Sequence, residues 1–353
     1  MSVADQITRI KNAKAAIKEA IQNKGVTVSD TAKLDEYPAL IYNISGSDSE
    51  YMNPNFYELK TNGGTSYKGL FCYFNITNFD VSSFCLDSSN VTDMTYMFTY
   101  SGQQIGTITG LHSLDYSKVK YINHMFYYSE TGGTIDLSGI SFPEVINASY
   151  MFNGIQNVQS IDMTNVDMPK VTNAISMFSL PTNSKTTSIN LSGINMPNIT
   201  NADNMFSGCN KITELDLSGI NFSKTTNISS MFSGCKLLVE IMGEIDLSKI
   251  SSGLYSTAYS NPFRTCNALE TVWLKNIYKD VATMKNEAKW SINLSETVVN
   301  DECLIYIINE LPDLINDKGL TATDKIVLTL PPTNTLTEEQ KQVARDKGWI
   351  VVN

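Results

Sequence analysis

The clearest pattern in the sequence is a pair of large apolar residues, Met followed by Phe, that returns at nearly constant intervals. The pairs begin at Met97, Met125, Met151, Met177, Met205 and Met231. Successive pairs are 28, 26, 26, 28 and 26 residues apart, and a period of this size is typical of a solenoid built from stacked coils. A flexible thioether and an aromatic ring are expected to stack on the equivalent pairs in the coils above and below.

A second apolar motif begins sixteen residues before four of these methionines, at Ile135, Ile161, Ile189 and Leu215. In its first copy, the apolar residues Ile135 and Leu137 alternate with the polar residues Asp136 and Ser138, and a Ser-Gly turn follows. This alternation predicts a short, half-buried strand. A coil of this size cannot bury its apolar side alone, so stacked coils should share one core and place their strands in a parallel ladder.

The fullest copy of the repeat reads Ile-Thr-Glu-Leu-Asp-Leu-Ser-Gly-Ile over residues 212–220 and Thr-Asn-Ile-Ser-Ser-Met-Phe-Ser-Gly-Cys over residues 226–235. These residues resemble the BspA-like leucine-rich-repeat family, and the resemblance covers roughly residues 70–275. It implies an α/β repeat solenoid, a leucine-rich-repeat-like stack of short parallel strands. Cellular members of that family are mostly exported surface proteins, so the resemblance also implies an adhesin.

The N-terminal segment, residues 1–48, has a different pattern that predicts a helical attachment and oligomerisation module with a linker. Its apolar positions follow the spacing of amphipathic helices, with a first stripe and a second short cluster. They are Ile7, Ile10, Ile17, Ile21, Leu34, Tyr37 and Ile41. Residues 4–44 resemble an N-terminal module of bacteriophage tail and fibre-type proteins. We expect a homo-oligomer, with a trimer favoured; a helical cap for the solenoid is the alternative.

The sequence pattern of residues 279–353 predicts a small α/β C-terminal cap, which follows the solenoid of residues 49–278. Helices are expected around 279–288 and 299–310, and a third should open at Thr337, where Gln340 completes a capping box. Strands are expected at 325–330 and 349–352.

Composition and motifs argue against catalysis and against nucleic acid as a partner. The net charge is −10, and no segment gathers lysine and arginine into a basic stripe. Phosphate-binding loops and zinc or acyl-transfer motifs are missing from the sequence, and the two histidines, His112 and His124, lack a neighbouring nucleophile pattern. We therefore expect no enzyme activity, no cofactor, no metal and no membrane insertion.

Two sets of polar or amphipathic side chains are candidates for contact with a receptor. Outward strand positions include Asp136, Asp162 and Asp216, which could meet glycan hydroxyls or Ca²⁺, or could accept hydrogen bonds from turn amides. Tyrosines gather in the early coils, where they suit a recognition surface or pack as a stripe against the N-terminal cap. The tyrosine candidates are Tyr96, Tyr100, Tyr116, Tyr127 and Tyr128.

Three cysteines occupy related places in the repeat. Cys209 and Cys235 share one repeat position, and Cys266 follows Phe263 as Cys235 follows Phe232. Free cysteine behaves as a small apolar residue, so three buried thiols in register are expected. A disulfide or a metal site is the alternative.

The combination of a helical module, an adhesin-type solenoid and no recognisable export signal predicts a bacteriophage virion appendage of the tail-fibre or head-fibre type. Its N-terminal helices would bind other virion proteins, and its solenoid would contact host-surface polysaccharide or protein. The alternatives are a secreted or surface-exposed bacterial adhesin and a purely structural virion protein.

Overall fold

The computed structural model describes residues 65–72, 79–84, 86–101, 106–251, 260–280, 290–318, 320 and 326–353, together with isolated positions 15, 18, 19, 22 and 29. Most of the N-terminal segment, including all seven residues predicted to attach or oligomerise, lies outside them. No helix within the described residues is long and apolar enough to cross a membrane.

Short parallel strands form a ladder of paired strands along the solenoid. They are β1 (Phe79–Asp80), β2 (Ile108–Thr109), β3 (Thr134–Asp136), β4 (Ser160–Asp162), β5 (Ser188–Asn190), β6 (Glu214–Asp216), β7 (Glu240–Asp246) and β8 (Thr271–Lys275). Hydrogen bonds join them as β1-β2, β3-β4-β5 and β6-β7-β8, always in parallel. Each β3 residue aligns with its repeat equivalent in β4, so Ile135 lies beside Ile161. The parallel ladder predicted from the sequence is confirmed.

The strand of the Met125 coil corrects one detail of the sequence pattern. The motif Leu114-Asp-Tyr-Ser is similar to the strand motif but begins only eleven residues before Met125. The strand of this coil, β2, is formed instead by Ile108–Thr109, close to the usual distance before the Met-Phe pair. Residues 114–117 instead continue the coil after the strand, and Tyr116 enters the core there.

Around each Met-Phe pair, the backbone amides alternate between two kinds of partner. The amides of Tyr96, Phe98 and Tyr100 donate to carbonyls of the next coil, at 3.3, 2.7 and 3.1 Å. The amides between them, those of Met97 and Thr99, donate to the carbonyl three residues earlier in the same coil. This alternation satisfies every second amide across the coil boundary, and its turns cannot extend into a helix.

The aromatic rings of the Met-Phe pairs form one continuous stack through the core. Successive ring centroids lie 5.1 to 5.9 Å apart from Phe98 to Phe263, and neighbouring planes differ by 2° to 10°. All six methionines and their phenylalanines are fully buried. The predicted role of the pair as the packing element of the core is confirmed.

Within the described residues the coils contain no α-helix, so the repeats form a parallel-strand β-solenoid of about six turns and not the α/β repeat expected. From residue 65 onward, the α-helices of the described residues lie in the C-terminal unit, which contains β9 (Ile292–Asn293), α1 (Asp301–Glu310), β10 (Val327–Thr329), α2 (Glu338–Asp346) and β11 (Ile350–Val352). The strand order is β11-β10-β9, all parallel.

The C-terminal unit continues the core of the solenoid. Its buried apolar residues belong to the same cluster as those of the coils, and the amide of Val298 donates to the carbonyl of Leu269 at 3.0 Å. At the start of α2, Thr337 and Gln340 form the reciprocal capping box predicted from the sequence.

Candidate functional site

The residue before each methionine has a left-handed backbone in all six Met-Phe coils. Its φ lies between 51° and 60° in Tyr96, His124, Tyr150, Ser176, Asn204 and Ser230. The alternating amide pattern places it there, because its N–H must point to the next coil while the following amide closes a turn. Later coils use serine or asparagine, whereas the first three use aromatic residues.

A second left-handed position lies two residues after the phenylalanine. Gly154, Gly208 and Gly234 occupy it in three coils, while the first two coils carry Tyr100 (φ 51°) and Tyr128 (φ 49°). A side chain in this conformation costs about 1–2 kcal/mol relative to the usual region. Tyrosine at both left-handed positions is therefore a property of the early coils and not a requirement of the repeat.

The aromatic residues before the methionines form a ladder of stacked rings. Tyr96 stacks on His124 with centroids 4.5 Å apart and planes 26° apart. His124 stacks in turn on Tyr150 at 4.8 Å and 12°. The imidazole is therefore held between two phenol rings.

A second ladder runs beside the first, and Tyr127 joins the two. Tyr100 stacks on Tyr128 at 5.5 Å, and the Tyr128 ring covers Gly154, where an added Cβ would lie 2.6 Å from it. Tyr127 meets Tyr128 at 4.6 Å and His124 at 5.0 Å, nearly perpendicular to both rings.

We call the resulting surface the aromatic patch. Its members are all half-buried, and they are Tyr96, Tyr100, His124, Tyr127, Tyr128 and Tyr150.

The electrostatic environment of the aromatic patch favours uncharged side chains. Burial lowers the pKa of His124, so its imidazole is neutral at pH 7. Burial also raises the pKa of Tyr127, and the four other tyrosines of the patch raise it further. No carboxylate or cation among the described residues contributes to either shift. The patch thus offers neutral rings and phenol hydroxyls.

Tyr116 is not part of this surface, and its prediction as a receptor-facing residue was wrong. Its side chain is 4% exposed, its ring meets Phe142 edge-on at 4.8 Å, and its hydroxyl donates to the carbonyl of Leu111. Phe142 holds the same repeat position in the next coil and is fully buried. Tyr116 is therefore a core residue whose single polar atom is satisfied.

The aspartates on the strand ladder accept hydrogen bonds from the turns that follow them. Ser138, Thr164 and Ser218 donate their amides to Asp136, Asp162 and Asp216, each at 2.9 Å. Burial raises the pKa of Asp136, but the hydrogen bonds from Ser138 and the charge of His112 lower it overall. This geometry supports the structural alternative of satisfied turn amides.

Metal and disulfide chemistry find no support in the described part of the chain. It contains no group of three or more histidine, cysteine or acidic residues that could hold a metal ion. The three cysteines of the repeat are free and fully buried. The thiols of Cys209, Cys235 and Cys266 donate to the carbonyls of Phe178, Phe206 and Phe232 at 3.3, 3.1 and 3.1 Å. The predicted register of buried thiols is confirmed.

The structure thus brings together four of the five predicted tyrosines and adds two residues, His124 and Tyr150. His124 was assigned a structural role from sequence because it lacks a catalytic partner. Its position in the repeat could have indicated the stacking, because His124 directly precedes the methionine of a Met-Phe pair, as Tyr96 and Tyr150 do. His112 lies elsewhere, with Nε2 2.8 Å from the carbonyl oxygen of Ser138 in the next coil.

A family model described as "Mycoplasma protein of unknown function, DUF285" matches residues 46–163 and again residues 146–269. Together the two matches span all six Met-Phe coils and more than half of the chain. Neither the curated proteins nor the solved structures give a match.

Proposed function

The chain belongs to this DUF285 family of BspA-like repeat proteins, and on that premise we propose that it is a non-enzymatic binding protein that presents its solenoid to a host-cell surface. One observation carries the proposal. The aromatic patch occupies backbone positions where the other coils have serine, threonine, asparagine or glycine, with Leu180 as the one exception. Aromatic side chains with a polar end are enriched where proteins recognise partners.

Folding alone gives little reason for these aromatic residues. A left-handed tyrosine costs about 1–2 kcal/mol, and each aromatic pair returns about 0.5–1.5 kcal/mol beyond its area burial. The two contributions are similar in size, so ring stacking by itself only offsets the backbone strain. A binding role accounts for half-buried rings retained at such positions.

For the place where the protein acts, we propose a bacteriophage virion appendage of the tail-fibre or head-fibre type. The apolar stripes of residues 1–48 support this proposal, because they suit attachment to other virion proteins and assembly of a homo-oligomer, with a trimer favoured. A secreted or cell-surface bacterial adhesin and a purely structural virion protein are the alternatives. Mass spectrometry of purified particles and of bacterial envelope fractions distinguishes the first two. Light scattering on the full chain measures the oligomer.

The binding proposal is tested with fluorescently labelled full-length protein on a panel of bacterial strains. Wild-type protein should bind a subset of the strains. A double variant, Tyr127→Ser with Tyr128→Gly, installs the residues that later coils carry at these positions and should lose that binding. Asn204→Ser makes an equivalent exchange at a left-handed position outside the patch and should bind like wild type. Binding to no strain would overturn the proposal.

A further inference from the structure

The aromatic patch offers a narrow set of chemical groups to a ligand. Its rings are phenols and one imidazole that is neutral at pH 7. Tyr127 crosses both ladders, at 72° to His124 and 69° to Tyr128, so ring surfaces of two orientations meet. The Tyr127 ring also meets the Tyr100 ring edge-on, with centroids 6.1 Å apart. Apolar ring area and hydroxyl groups are thus combined on one surface.

The charge of the surface further restricts the class of ligand that it can bind. The rings that contact Tyr127 are the phenols of Tyr100 and Tyr128 and the imidazole of His124, so a charged ligand group would find no ionic partner among them. The net charge of the chain, −10, also opposes polyanions at low salt. A ligand that matches this surface is neutral.

The recurrence of equivalent side chains along the patch favours a polymeric ligand. Equivalent side chains recur in consecutive coils, at 4.5 and 4.8 Å in the ladder of Tyr96, His124 and Tyr150 and at 5.5 Å between Tyr100 and Tyr128. A linear ligand lying along the solenoid axis would meet the same groups several times. Sugar units carry hydroxyls, which exchange hydrogen bonds with the phenol groups at the edges of the stacked rings, and C–H groups, which would pack on the Tyr127 ring that stands across the stacks.

We infer that the aromatic patch binds a neutral polysaccharide along the solenoid axis. The inference rests on the proposed function, because it names the ligand class of the same surface. Tyr127 would be the central contact, since it touches both ladders. Folded protein segments suit the patch less well, because they present mixed charges and do not repeat at the spacing of the coils.

The experiment uses the full-length chain on an array of neutral hexose and N-acetylhexosamine oligosaccharides, printed beside sulfated and uronic-acid oligosaccharides. Wild-type protein should bind only neutral glycans. Tyr127→Ser and Tyr128→Gly should each weaken that binding about fivefold, since one aromatic contact is worth on the order of 1 kcal/mol and about 1.4 kcal/mol corresponds to tenfold. Asn204→Ser should leave it unchanged. Thermal unfolding of every variant verifies that it is folded.

Each other outcome has a distinct meaning. Strain binding that depends on Tyr127 and Tyr128, without any glycan bound, would overturn the polysaccharide inference in favour of a protein receptor and leave the proposed function intact. Glycan binding that survives both substitutions would move the site elsewhere and overturn the inference. A preference for anionic glycans would contradict the charge argument. Failure to bind either strains or glycans would overturn the proposed function as well.

Discussion

At the scale of single residues, backbone hydrogen bonding decides which side chains the coils can carry. Alternate amides reach the next coil, and the residue before the methionine is left-handed in all six coils, as is the second residue after the phenylalanine in five of them. Glycine adopts this conformation without strain, and asparagine and histidine adopt it more readily than most other residues. Tyrosine adopts it at a higher cost, which marks Tyr100 and Tyr128 as candidates for function.

Substitutions at two left-handed glycines would distinguish the cost of backbone strain from the cost of a steric collision. A Cβ on Gly139 (φ 67°) would meet nothing within 4 Å, whereas a Cβ on Gly208 (φ 76°) would lie 2.1 Å from the carbonyl oxygen of Leu180. Gly139→Ala should therefore lower the free energy of unfolding by about 1–2 kcal/mol. Gly208→Ala should lower it further, because the backbone of the neighbouring coil must also move. Urea denaturation measures both, and equal losses would contradict the collision.

His124 predicts a pH dependence of stability. Burial between Tyr96 and Tyr150 lowers its pKa in the folded state, so the unfolded chain binds the proton more readily. Its contribution to stability is complete above the unfolded pKa, about 6.5, and is lost as the pH falls through the lower folded pKa. The midpoint of thermal unfolding should fall more between pH 8 and 5 in wild type than in His124→Asn. Parallel curves for the two proteins would contradict this assignment.

At the scale of the strand and its turn, one acceptor atom secures the chain reversal. The Oδ1 of Asp162 accepts from both the amide and the hydroxyl of Thr164, at 2.9 and 2.6 Å, and the Oδ1 of Asn190 accepts from the amide of Ser192 at 3.1 Å. Asp162→Asn keeps this acceptor and should be nearly neutral. Asp162→Ala removes it and should cost about 0.5–1.5 kcal/mol. Denaturant unfolding should be unaffected by Ca²⁺ or EDTA; stabilisation by Ca²⁺ would support the metal alternative instead.

The repeat elements were largely predictable from the sequence, because an apolar residue that recurs with the period of the coil must face the core. The Met-Phe stack, the strand at Ile135 and the thiol of Cys235 all follow this rule. Tyr116 was misassigned because it was grouped with the other tyrosines of the early coils, whereas its repeat register matches the buried Phe142. The left-handed residues were not predictable, since they follow from hydrogen bonds between coils that a single coil does not contain.

At the scale of the whole molecule, the coils and the C-terminal unit share one core. Stacked rings connect the coils from Phe71 to Phe263. The amides of Val298 and Asn300 donate to the carbonyls of Leu269 and Glu270, each at 3.0 Å, and so extend the stacking into the C-terminal unit. In a repeat protein, each neighbouring interface contributes to the stability of the array. Continuous interfaces therefore favour cooperative unfolding across the predicted boundary at residues 278–279.

The three tryptophans of the chain test this cooperativity, because Trp273 lies in β8 and Trp290 and Trp349 lie in the C-terminal unit. The thermal midpoint from tryptophan fluorescence should coincide with that from far-UV circular dichroism. Phe152→Ala removes a fully buried ring far along the stack and should cost about 3–5 kcal/mol. It should lower both midpoints together, because the loss is transmitted through each stacked coil to β8. A fluorescence midpoint that stays at the wild-type value would show that residues 279–353 fold independently of the coils.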